Sequence, residues 1–103
     1  MTLDDIHIHD SVILGVIEDT ETDVLTFELS YPTDWDNDVY ERRNLKFIDV
    51  LNYRVCEGSF IGSPTMLSYS VEALDSGHTR VKLETNAGYR KLSFKEVKLC
   101  PAT

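Results

Sequence analysis

The stretch that most constrains how this chain can fold runs from Arg43 to Val55, because its two-residue hydrophobic period breaks in the middle and then resumes. Leu45 and Phe47 alternate with Lys46, and Tyr53 and Val55 alternate with Arg54, so each end reads as a strand with one face in a core. Phe47 and Val50 are three apart, and a strand that keeps both inside needs the extra residue that a β-bulge supplies. A short helix is the competing reading, since Phe47, Ile48, Leu51 and Val55 fall at helical spacing and Asn44 is a suitable cap. The same phrase returns at a constant offset of 47, with Leu92, Phe94 and Val97 repeating Leu45, Phe47 and Val50. Two strands in similar positions of one sheet or barrel, each bent at Asp49 or Glu96, would explain the echo. A single echo is also what chance similarity between bulged strands produces, because repeat architectures show several copies.

The rest of the chain is strand-like. Val12–Glu18 is apolar on both faces, which suggests a covered or central strand, and a polar loop over 19–23 joins it to Val24–Tyr31 as a hairpin. That second strand has the cleanest alternation, with Leu25, Phe27, Leu29 and Tyr31 inward and Thr26, Glu28 and Ser30 toward water. Met66–Leu74 follows, with Leu67, Tyr69, Val71 and Ala73 on its inner face, then a turn at Asp75–His78, a strand over Thr79–Asn86 with Val81, Leu83 and Thr85 inward, and a last strand over Tyr89–Leu99. The predicted fold is mainly β: about six antiparallel strands in a meander, forming a small barrel or two-layer sandwich, with one short helix as the alternative at 47–55. A length of 103 residues fits a single domain spanning 1–103.

Charge narrows the function classes. Eighteen acids against ten Lys and Arg give a formal net charge of −8, which repels nucleic acid and anionic membranes unless the few bases cluster, and attracts a basic protein. The N-terminus lacks the basic and apolar regions of a secretory signal, and no run of eighteen apolar residues offers a membrane span. Cys56 and Cys100 are then expected to be reduced thiols of a cytoplasmic protein. No G-x-S-x-G elbow and no phosphate loop occurs, so the sequence implies neither an activated nucleophile nor a cofactor, and points away from an enzyme.

Two segments are candidates for function. The polar loop over 32–41 sets Trp35 among Asp34, Asp36 and Asp38 with Tyr40 close by, and aromatics among carboxylates suit a contact with a basic protein. The competing reading folds Trp35 back as a lid on the sheet edge. The three aspartates also have the spacing of the first ligands of a calcium loop, but the pattern fails at Val39 and Leu45, where glycine and glutamate are required. The second segment is His7, His9 and Asp10, where two histidines on one face of an extended arm beside a carboxylate could ligate a transition metal. In the loop over 57–64, Phe60 and Ile61 would make an apolar patch for a partner or a homodimer unless they plug the core.

His9-Asp10-Ser11, an apolar strand, an acidic loop and an alternating strand resemble the opening of small uncharacterised bacterial β domains, some grouped with immunity proteins of toxin systems. The resemblance covers the first third of the chain and carries no catalytic residue with it. Asp10 and Ser11 also suit a turn closed by side chain to backbone hydrogen bonds. The expected function is that of a small acidic interaction module, of inhibitor or immunity type, whose contact with a basic partner is made by Asp34, Trp35, Asp36, Asp38 and Tyr40. The alternative is a metal-binding protein or metal-dependent enzyme using His7, His9 and Asp10.

Overall fold

The computed structural model describes residues 3–34 and 36–102. After a single 3-10 turn at Leu3–Asp5 come eight strands: β1 Val12–Asp19, β2 Val24–Asp34, β3 Val39–Ile48, β4 Leu51–Glu57, β5 Met66–Ala73, β6 Thr79–Thr85, β7 Gly88–Phe94 and β8 Glu96–Pro101. They form two antiparallel sheets, ordered β1-β2-β3-β8 (sheet A) and β4-β7-β6-β5 (sheet B). The architecture is a two-layer sandwich, not a closed barrel. Near one end the sheets also touch through a bridge between Val12 and Thr65.

The strand number exceeds the expected six because the chain crosses between sheets at both echoed stretches. β3 breaks at Asp49–Val50 before β4, and β7 breaks at Lys95 before β8, one residue earlier than the sequence suggested. The two stretches pair with each other across the corner. Phe47 lies opposite Val97, Ile48 opposite Glu96, and Leu51 opposite Ser93. The Lys95 amide donates to the Ile48 carbonyl at 2.9 Å and the Val50 amide to Asp23 at 3.0 Å, so the bend keeps its backbone hydrogen bonds. Asp49 (φ 58°) and Asn52 (φ 57°) are left-handed, a region these short polar side chains tolerate better than most. The short helix that was the alternative over 47–55 does not form. No α-helix holds those two residues, and Leu51 and Val55, which it would bury, are each 50% exposed.

The core follows the alternation of β2 and β6. Leu25, Phe27, Leu29, Leu45, Phe47, Val81, Leu83 and Leu92 are all buried between the sheets. Phe47 meets Phe27 edge-on at 5.7 Å and Phe94 at 4.9 Å, linking the two layers through one aromatic chain. β5 departs from expectation. A register shift between Met66 and Ser68 buries Met66 and leaves Leu67 46% exposed, and Val71 on this edge strand is 49% exposed. The N-terminal segment closes the sandwich with Leu3, Ile6 and Ile8, and Tyr69 donates a hydrogen bond to Asp4.

Candidate functional site

The loop read over 32–41 is mostly strand. β2 and β3 pair from Val24 opposite Ile48 out to Asp34 opposite Val39. Their neighbours stop sooner: β1 begins opposite Ser30 and β8 ends opposite Arg43. Tyr31–Asp34 and Val39–Arg42 therefore project as a two-stranded ribbon beyond the sheet. At its tip Asp34 accepts from the Asn37 side-chain amide at 2.7 Å and from its backbone N–H at 3.4 Å, and Asp38 turns the chain with φ 53°. Asp34, Asp36 and Asp38 are exposed, and so are Val39 (43%) and Tyr40 (42%) beside them. Arg43 pairs with Glu41 at 2.7 Å, and among the described residues no ion pair engages the three tip aspartates. Trp35, which the sequence reading placed in this contact, lies outside the described residues.

The N-terminal arm keeps the expected alternation, with Ile6 and Ile8 buried and His7 and His9 exposed. The His7 amide donates to the Tyr31 hydroxyl, which ties the arm to the base of the ribbon. His9 Nδ1 is 2.6 Å from the Leu67 carbonyl oxygen. A carbonyl only accepts, so that nitrogen carries the proton, and Nε2 faces Asp10 at 3.4 Å. No group of three or more His, Cys, Asp or Glu is placed to hold a metal ion among the described residues. The turn at Asp10 and Ser11 exists, but backbone groups close it: Ser11 N–H donates to Ile8 and Asp10 N–H to Met66. The Ser11 hydroxyl is buried and makes no hydrogen bond among the described residues.

One charged cluster inside the sandwich was not anticipated. Arg90 on β7 forks onto Glu57 on β4, with Nη2 to Oε1 at 2.8 Å and Nε to Oε2 at 3.0 Å, and its Nη1 donates to the Tyr53 hydroxyl at 3.1 Å. Thr85 on β6 donates to the same Glu57 carboxylate at 3.1 Å. Only 12% of the Arg90 side chain and 11% of the Glu57 side chain are exposed. Hydrogen bonding from Arg90 outweighs burial and holds the Glu57 carboxyl below its ordinary range. The same bond pushes Arg90 up, whereas burial is the larger influence on Tyr53 and raises its phenol. Each of these four side chains bonds within the cluster, so the arrangement ties β4, β6 and β7 together.

Register builds a second charged surface on the outer face of sheet B. Arg54 lies opposite Lys91, and Lys91 opposite Lys82, so three cations from three strands stand in one row. Arg80 lies opposite Ser93 in the next row. The Tyr89 ring sits beneath Lys82 at 4.6 Å and is 5.7 Å from Lys91. Cys56 stands opposite Tyr89 on this face, and both Cys56 and Cys100 are free thiols.

The chain matches no protein-family model and no curated protein sequence. No helix among the described residues is long and apolar enough to cross a membrane.

Proposed function

We propose that the protein is a small non-enzymatic interaction module that binds a basic protein surface through the tip of the β2–β3 ribbon, in the manner of an inhibitor or immunity protein. The observation that carries this reading is the ribbon itself, which extends past both neighbouring strands and bears three exposed aspartates that form no ion pair among the described residues. Val39 and Tyr40 add apolar surface beside the carboxylates, the combination that gives a charged contact short-range affinity as well as steering. The acidic balance of the whole chain favours the same class of partner. The cytoplasm is the setting this reading assumes, with both thiols reduced.

The test is capture of partners from lysate of the native cell on the intact chain and on a bait carrying Asp34→Asn, Asp36→Asn and Asp38→Asn. A basic protein retained by the first, lost from the second and weakened by salt supports the reading. Equal retention by both baits removes it.

A further inference from the structure

We propose that the outer face of sheet B holds a second site, independent of the ribbon tip, for a phosphate-class oxyanion: a free phosphate or a phosphomonoester group bound between Arg54, Arg80, Lys91, Asn52 and Ser93. These residues, together with Leu92, line a depression of about 290 Å³. Its floor is β7, with Lys91 and Ser93 one strand pitch apart on the same face. One wall is β4, with Arg54 and Asn52, and the other is β6, with Arg80.

The lining has the chemistry of an anion receptor. Arginine and lysine side chains donate and never accept, and the Ser93 hydroxyl and Asn52 amide supply further donors. The lining comes from three adjacent strands, so a ligand with oxygens in three directions can meet donors of more than one strand, which a planar carboxylate does less readily. Arginine forks suit phosphate in particular. The site is also unbalanced as it stands. Like charges directly opposite on neighbouring strands destabilise a sheet, and the Arg54–Lys91–Lys82 row has two such juxtapositions. Glu84 relieves Lys82 at 3.6 Å and Glu72 relieves Arg80 at 3.4 Å. Among the described residues no carboxylate forms an ion pair with Arg54 or Lys91, two of the three cations that line the depression. A bound oxyanion would neutralise that pair.

Net charge selects the size of the ligand. At physiological salt a compact anion senses charges within a screening length of about 8 Å, where the cations of this face dominate. A long polyanion or an anionic bilayer would extend over the surrounding carboxylates of a chain carrying −8 and be repelled.

The site is tested by following the backbone and side-chain amides of the full chain by NMR while inorganic phosphate, and separately glycerol 3-phosphate, is added at constant ionic strength, with chloride as the control. The expected result is a saturable response confined to Asn52, Arg54, Arg80, Lys91 and Ser93, weakened about tenfold or more in Arg54→Ala and in Lys91→Ala. Lys98→Gln, on sheet A, should leave it unchanged, and dispersed spectra show that each variant is folded. Tighter binding of the ester points to a phosphorylated ligand, and equal binding points to free phosphate; both support the site. A response that is absent, follows ionic strength alone, or survives Arg54→Ala and Lys91→Ala overturns it.

Discussion

The ribbon tip and the outer face of sheet B are both charged and both built from strands, yet they stand on different foundations. Tip residues extend beyond the ends of β1 and β8, with no strand on either flank among the described residues, so changes to their side chains should disturb the fold little. The cations of sheet B rise from strands whose opposite face holds Val81, Leu83 and Leu92 in the core and the Arg90–Glu57 pair beside it, so a change there should reach stability as well as any binding. The two proposed sites, of opposite sign on separate surfaces, can be altered independently, and that independence is open to experiment.

The largest expected effect lies beneath sheet B. Glu57→Gln leaves the mostly buried Arg90 without its counter-charge, and should cost about 2 kcal/mol, below the ~3–5 kcal/mol of fully enclosed pairs. Denaturant unfolding measures it. Replacing the pair together, with Glu57→Leu and Arg90→Met, should recover most of that loss. The same pair predicts a pH dependence. Glu57 is held below its ordinary value of 4.5 in the folded protein, so its contribution is complete above the unfolded value and fades as the pH falls through the folded one. Glu57→Gln should therefore flatten the acid limb of the stability curve.

Gly88 gives a comparable effect for a different reason. A Cβ there would stand 2.2 Å from the Cys56 carbonyl oxygen, with φ at +148°, so Gly88→Ala should destabilise by about 2 kcal/mol or more as β4 and β7 are forced apart. If thermal unfolding of that variant matched the native chain, the close pairing of these strands would be wrong.

Tip substitutions should act on association alone. Asp36→Asn and Asp38→Asn should shift stability by less than about 0.5 kcal/mol while slowing capture of a basic partner, with the difference vanishing at high salt. A further small effect separates the two surfaces by sign. Lys91→Gln removes a like-charge neighbour from the cationic row, and in chloride buffer it should stabilise the protein by a few tenths of a kcal/mol, on the order of 0.2–1. Destabilisation would mean that the Tyr89 contact of Lys91 outweighs the repulsion.

How legible these features were depended on how far along the chain their parts lie. The inner faces of β2 and β6 are contiguous alternations, and Leu25, Phe27, Leu29, Val81 and Leu83 could be placed from the sequence. The period slip after Phe47 signalled a bend, but the step from one sheet to the other was invisible because it depends on which strand lies opposite. Asp49 and Asn52 were the local clue, since both residue types tolerate a left-handed backbone. The acidic tip was legible because its carboxylates fall within five residues, Asp34 to Asp38. The cationic face joins Arg54, Arg80 and Lys91 from three separate strands, and only register brings them together. Arg90 did leave a signal: it shares a face with Leu92 and Phe94, as Glu57 does with Tyr53 and Val55, and opposite charges on two inner faces imply an enclosed pair.

The measurement that bears most directly on the account is a three-way capture from lysate of the native cell, with the native chain, the triple tip variant at Asp34, Asp36 and Asp38, and the Arg54→Ala, Lys91→Ala variant as parallel baits. One basic protein should be held by the first and third baits and released from the second, with retention falling as salt rises. A partner held equally by all three, or held by none, would contradict it.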